Sequence, residues 1–319
     1  MNKVQFNLIA ATVMAFALAG CNNDEFVPDR GQSTGEARFS ASIDAPATRA
    51  YNQEWEANDE IGISGKTGDV SYTNVRYFTA NADGNFAPKN EADKIYYQTD
   101  AEVTFTGYYP WNDLAGGNTI TADTWGQADQ KNFDFLWAQA IGKKAEPDVK
   151  FSFAHKMAKV VLTIKKGNDV SFDEVKAAVL SLEGFKHQGS FDVATGTTTT
   201  SDATTVMWQF AGNTVDVAYN APITENAADE TITYTMIFFP QEFASPLPFS
   251  AELADKQTLK ANLDFTEANA AKDDAAAKNE WVAGRQYNLG IVLNKTGIKV
   301  TGCEIKPWEE VNGGDINAK

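Results

Sequence analysis

Cysteine is nearly absent from this chain of 319 residues: Cys21 and Cys303 are the whole supply. So few thiols exclude a disulfide framework and the cysteine-rich forms of a structural zinc site. Histidine is as scarce, with only His155 and His187, and neither has carboxylates or cysteines beside it at metal-ligand spacing. Positive charge is in short supply too. Against 43 Asp and Glu stand 27 Lys and Arg, a formal net charge of -16. No basic cluster relieves that field, so nucleic acid is not an expected partner. Beyond residue 20 no apolar run is long enough to span a bilayer as a helix.

Catalytic signatures are missing as well. Gly62-Ile63-Ser64-Gly65 breaks the G-x-S-x-G elbow at its fifth position and reads as the lead of a strand. There is no P-loop and no dinucleotide fingerprint. Asp83-x-Asn85 lacks the carboxylate series of a calcium loop and reads as a hairpin turn. Carboxylate neighbours such as Asp273-Asp274 and Glu309-Glu310 are common in so acidic a chain and carry little weight as a glycosidase pair. His155 closes an alternating run and is expected to pack or hydrogen-bond at a strand end, and His187 to sit in a turn. Cys303 is expected as a small buried residue in a strand. No catalytic residue, no metal site and no cofactor is expected.

What is present begins at the N-terminus. Lys3 supplies a positive start, residues 6–17 are small and apolar apart from Asn7 and Thr12, and Leu18-Ala19-Gly20-Cys21 closes the segment. That run is too short for a permanent span and ends in a processing site, which makes residues 1–20 a signal peptide. The quartet resembles the bacterial lipobox, in which the cysteine thiol is diacylated and cleavage falls just before it, so Cys21 is the expected lipidation site. Loss of Lys3 with the leader would deepen the negative charge by one. The polar stretch to residue 36, with Asn22-Asn23-Asp24-Glu25 at its head, reads as a tether. The acidic head resembles a surface-export signal of Bacteroidota lipoproteins, which makes the outer face of the outer membrane the expected address.

Beyond the tether the pattern is β. Period-two alternation recurs in Ala37-Phe39-Ala41-Ile43, Val149-Phe151-Phe153, Val160-Leu162-Ile164, Ile232-Tyr234-Met236-Phe238 and Tyr287-Leu289-Ile291-Leu293, among others. Turn signals such as Asp83-Gly84-Asn85, Lys166-Gly167-Asn168 and Lys295-Thr296-Gly297 separate the runs. Many short strands at this spacing imply an all-β fold built of β-sandwiches, since each strand must bury one face against a second sheet. Residues 171–176 suit a short helical turn, and the Ala-rich residues 267–278 an exposed loop or marginal surface helix. A boundary is expected at residues 142–148, which are polar and marked by Pro147. The threonine-rich residues 195–205 read as a solvated loop or hairpin tip. The tyrosines and tryptophans, Tyr96-Tyr97, Tyr108-Tyr109-Pro110-Trp111, Trp125, Trp137 and Trp208, are expected mostly in cores, with a sugar-stacking platform as the alternative.

Several segments together resemble the fimbrillin family, the type V pilus subunits of Bacteroidales. They are Ala47-Thr48-Arg49-Ala50 with Trp55-Glu56-Ala57-Asn58-Asp59-Glu60, Thr106-Gly107-Tyr108-Tyr109-Pro110-Trp111, Phe133-Asp134-Phe135-Leu136-Trp137, Phe151-Ser152-Phe153-Ala154-His155-Lys156-Met157, Gly284-Arg285-Gln286-Tyr287 and Lys306-Pro307-Trp308. The resemblance implies two tandem transthyretin-like β-sandwich domains, at residues 50–147 and 148–319, after a leader (1–20) and a lipid-anchored propeptide (21–49). It also implies cleavage between Arg49 and Ala50 by an Arg-specific protease at the cell surface, followed by polymerisation through strand exchange. The partners so implied are other fimbrial subunits, the outer membrane through lipid on Cys21, and a host or bacterial surface receptor. Residues 36–43 form the strand that cleavage would free, leaving an edge for another chain to fill. The acidic residues 309–319 make a poor donor strand, unless residues 298–305 swing out with them. The competing expectation is a monomeric surface lipoprotein that binds glycans through exposed aromatics; a hydrolase with an unrecognised carboxylate site is the remote third.

Overall fold

A computed structural model describes residues 35–43, 54–212, 215–216, 220–272 and 277–308. The first strands are β1 (Arg38–Ile43), β2 (Glu60–Thr67), β3 (Val70–Phe78) and β4 (Asn85–Pro88). Then come β5 (Val103–Tyr109), β6 (Thr119–Asp123), β7 (Leu136–Gly142) and β8 (Asp148–His155). All but β6 join one sheet, in the spatial order β1-β4-β3-β2-β5-β7-β8, and β1 pairs with β8 to close it into a barrel. β8 begins at the expected division of the chain and pairs back onto β1. Its sequence shows why it forms. Val149, Phe151, Phe153 and His155 are buried while Lys150 and Ser152 between them are exposed, the period of a strand with one face on a core.

The next elements are β9 (Ala158–Lys166), α1 (Phe172–Ala177), β10 (Val179–Leu182), β11 (Gln188–Asp192), β12 (Thr197–Thr200) and β13 (Trp208–Ala211). They are followed by β14 (Ile223–Asn226), β15 (Thr231–Phe238), β16 (Gln241–Glu242), β17 (Leu247–Glu252) and β18 (Thr258–Leu263). Last come α2 (Thr266–Lys272), β19 (Glu280–Trp281), β20 (Arg285–Asn294) and β21 (Gly297–Pro307). One sheet runs β14-β15-β9-β20-β21 and faces another of order β13-β10-β17-β18. Between them lies a core that includes Leu162, Leu180, Trp208, Phe238, Phe249, Trp281 and Leu289. β9 is buried almost throughout because it is a central strand, antiparallel to β15 and parallel to β20. The protein is all-β, as expected.

The two helices are short. Ser171 caps α1 with a reciprocal pair of bonds, its hydroxyl accepting from the Glu174 N–H while the Glu174 carboxylate accepts from the Ser171 N–H. α2 is a helix rather than a loop because Ala268 and Asn269 turn inward; Asn269 donates to the carbonyls of Lys278 and Glu280. β6 leaves the barrel and pairs with β11, which pairs in turn with β12. A third core beneath that sheet takes Tyr108 and Phe135 from the barrel segment, Ile120 from β6, and Phe191, Ile237 and Phe239 from the later one.

Candidate functional site: the first strand and its groove

β1 lies in a slot of the barrel wall. Along its whole length it runs parallel to β8, from Arg38 opposite Asp148 to Ile43 opposite Phe153. On its other side it meets β4 at only two pairs, Phe39 with Phe86 and Ser40 with Asn85. Backbone bonds outside the ladders complete the seat: Ala37 N donates to Ile95 O (2.8 Å), Ala41 N to Gly84 O (2.8 Å) and Tyr97 N to Gly35 O (2.7 Å). Gly84 is required there. Its φ is +74°, and a Cβ would stand 2.5 Å from the Ala41 carbonyl oxygen.

Side chains fix the register. Ala37, Phe39 and Ile43 point inward, with Phe39 only 3% exposed. The Phe39 ring meets Tyr77 and Phe105 edge-on at 5.1 and 5.2 Å and lies parallel to Phe151 at 5.9 Å. Burying a phenylalanine and an isoleucine contributes about 1.5–3 kcal/mol each. A slip of one residue would turn both outward, so the register is unique. Trp55 seals the far end: its indole donates to Ala41 O (2.8 Å), and its ring packs on Phe86, Tyr109 and Phe153.

Charge adds little. The pair of Arg38 Nε and Asp148 Oδ1, at 2.6 Å, is about half-exposed on both sides, where such pairs contribute at most about 1 kcal/mol. Beside the start of β1, burial pushes the Tyr97 hydroxyl up to about 12, helped by the charge of Asp148. That hydroxyl is buried without a hydrogen-bond partner, a cost of about 1–3 kcal/mol. At the start of β2, burial opposes ionisation of Glu60, but its bonds to Arg76 and to Lys89 (2.9 Å) outweigh this and lower its pKa.

The other end of the described chain converges on the same barrel strand. His155, the last residue of β8, bonds Asp134 through Nδ1 at 2.8 Å, and the Trp308 ring stacks on its imidazole at 4.0 Å with 7° between planes. Lys159 Nζ lies 5.7 Å from the Trp308 centroid. His155 is therefore a packing residue at a strand end. β21, just before Trp308, is an edge strand on which Ile298, Cys303 and Ile305 are partly buried against the core. Enclosure, with the nearby charge of Glu304, pushes the Cys303 thiol up to about 12, far from the thiolate a nucleophile requires.

The expected lipidation site Cys21 and the processing pair Arg49-Ala50 lie outside the described residues. The ten residues 44–53, which carry Arg49, connect the end of β1 to the segment of Trp55. Half of the eight singled-out aromatics are core: Tyr97, Tyr108, Tyr109 and Trp208 are buried, while Trp111, Trp125 and Trp137 are half-buried. Trp111 carries Arg76 over its ring at 4.2 Å, and Tyr96 is exposed. Trp125 stands with Asp123 and His187 around an open cleft, a grouping that separations of 62 to 64 residues keep out of reach of motif reading. Among the described residues, no group of three or more His, Cys, Asp and Glu is placed to hold a metal ion.

The profile of a family described as Fimbrillin-like matches residues 48–308. A candidate fimbrium subunit of Bacteroides uniformis, Fim1C, is 29% identical over 319 residues, covering 96% of each chain. A crystal structure of a candidate cell-adhesion protein from Bacteroides uniformis superposes with a TM-score of 0.65 at 27% identity, over 86% of this chain and 99% of that one. Another, from Bacteroides ovatus, has the same fold, with a TM-score of 0.66 at 22% identity over 87% and 99%.

Proposed function

Since this chain belongs to the fimbrillin-like family, we propose that it is a structural or accessory subunit of a cell-surface fimbria, exported as a lipoprotein on Cys21 and assembled by strand exchange after cleavage at Arg49. The observation that carries this reading is the seat of β1. The strand fills a barrel position by a full ladder to β8 but by only two pairs to β4, and it is tied to the rest of the barrel through residues 44–53. Cutting that connection leaves β1 held by non-covalent contacts alone. Its departure would open an edge on β8 and an apolar slot among Tyr77, Phe105 and Phe151. A strand from another subunit, with an aromatic residue at the position of Phe39, would restore both the ladder and the packing.

Cys21 and Arg49 then act in sequence. Acylation at Cys21 anchors the precursor to the outer membrane, each buried CH₂ contributing about 0.8 kcal/mol. Cleavage after Arg49 leaves the lipid, the tether and β1 behind. Other subunits are the partners, and adhesion to a host or bacterial surface is the outcome. No step requires catalysis by this chain. On the donor side, β21 is an edge strand with partly buried inward residues, and its release requires Trp308 to leave His155.

Arg-specific protease treatment of the purified precursor tests this. Treated wild-type protein should run as a ladder of oligomers that collapses on heating, and Arg49→Ala should stay monomeric under the same treatment. A treated wild type that remains monomeric would defeat the proposal.

A further inference from the structure

The outer face of the β12–β11–β6 sheet carries an open cleft, with polar groups set among apolar surface, that the assembly reading does not use. A depression of about 710 Å³ lies beside the end of β6, lined by Asp123, Trp125, Asp129, Asn132, Phe133 and His187 among others. A second, of about 540 Å³, runs across the strands themselves past Thr121, Gln188, Ser190 and Thr199. Asp123 lines both. Period-two alternation builds this face: Ile120 and Phe191 turn into the core, so Thr121, Asp123, Gln188 and Ser190 turn out. Cross-strand register sets Asp123 opposite Gln188, and Ser190 opposite both Thr121 and Thr199.

The cleft is held rigid from beneath. Asp123 Oδ1 accepts from His187 Nδ1 (2.7 Å) and from the Trp125 N–H (2.8 Å), and Oδ2 from Gln188 Nε2 (3.1 Å). Trp125 meets the imidazole edge-on, with ring centroids 4.7 Å apart. Trp208, fully buried, donates its indole N–H to the Trp125 carbonyl (2.8 Å). Gln127, also fully buried, takes the Ile237 N–H on its oxygen (2.9 Å) and donates to the Ile237 carbonyl (3.0 Å). The loop from β6 to Asn132 is thereby pinned to β15, and little ordering is left for a ligand to impose.

The lining groups select a chemistry. The Trp125 indole and the Phe133 ring offer apolar ring surface, and an imidazole, amides, carboxylates and hydroxyls offer a mixture of donors and acceptors around it. Both depressions are wide open to solvent and enclose no deep apolar channel, which disfavours a lipid tail. Asp123 and Asp129 stand at the cleft with neither Lys nor Arg in either lining, so a sialic acid or phosphate would meet like charge. A polyhydroxylated, uncharged ligand with one C–H face suits all of these. We infer that this cleft binds a neutral saccharide, with Trp125 as the stacking ring, His187, Asp129 and Asn132 as hydrogen-bonding groups, and Asp123 as the residue that positions His187 and Trp125. The site is complete in a single chain and does not rest on strand exchange.

The test uses the unassembled full chain, with mannotriose, N-acetyllactosamine and lactose as neutral probes and 3′-sialyllactose as the acidic one. At least one neutral probe should bind at or below about 10 mM in ligand-observed NMR and alter tryptophan fluorescence. Asp129→Ala combined with Asn132→Ala removes two exposed groups without opening a core and should weaken that binding about tenfold. Trp125→Ala should abolish it, and Trp111→Ala, on a ring outside the cleft, should leave it unchanged. Should Trp125→Ala fail to fold, the Asp129/Asn132 variant decides. Absence of neutral binding at that concentration, wild-type affinity in the double variant, or tighter binding of 3′-sialyllactose than of lactose would overturn the inference. Polymerisation is read separately on gels, so either proposal can fail alone.

Discussion

Phe39 is the residue on which the barrel's first strand depends. It is enclosed by Tyr77, Phe105 and Phe151, and truncating a packed phenylalanine removes both transfer energy and the contacts lining the cavity it leaves. Phe39→Ala should therefore destabilise the precursor by about 3–5 kcal/mol, measured by denaturant unfolding. It should also speed ladder formation after protease treatment, because β1 is held less tightly. Its burial is readable from the alternation of Ala37, Phe39 and Ile43 alone. The identity of its neighbours is not, since Phe39 lies 112 positions from Phe151. His187 shows the same limit. Within Phe185-Lys186-His187-Gln188-Gly189 it reads as part of a turn, and only the pairing of β6 with β11 brings it to Asp123.

At the scale of elements, strand existence was legible wherever one face meets a core, as in β1, β8, β15 and β20. Pairing was not. The parallel ladder between β1 and β8 joins segments about 110 residues apart, and no local pattern specifies which edge an isolated strand will choose. The Ala-rich run of α2 has no apolar stripe and so does not by itself separate loop from helix; buried Asn269, bonded to two backbone carbonyls, gives it an inner face. The ladder has a consequence for assembly. A synthetic peptide of residues 36–43, in excess over protease-treated subunit, should occupy the vacated slot and suppress the ladder of oligomers on gels. A peptide of the same composition with Phe39 and Ser40 exchanged places the aromatic ring on the wrong face and should not.

Across the whole described molecule, the third core links parts that the chain order separates. Phe191 of β11 stacks on Phe135 at 4.7 Å with 11° between rings and lies 6.4 Å from Tyr108 of β5. Phe191→Ala should accordingly raise amide hydrogen exchange in β5 and β7, strands with which β11 shares no ladder. Unchanged exchange there would mean that the barrel is stabilised independently of this core.

From residue order alone came the all-β class, the inward faces of the strands, the acidic surface and the family resemblance. These are local properties: alternation, charge and short motifs are written in neighbouring residues. Tertiary structure alone decided the closure of the barrel by β1 and the placement of Trp308 on His155. It also decided the gathering of Asp123, Trp125 and His187 at one cleft. Each brings together groups far apart in the chain, and the physical reason is common to all three. Backbone hydrogen bonding and burial select a partner by the shape and edge left open when the rest has folded, and that is a property of the assembled sheets.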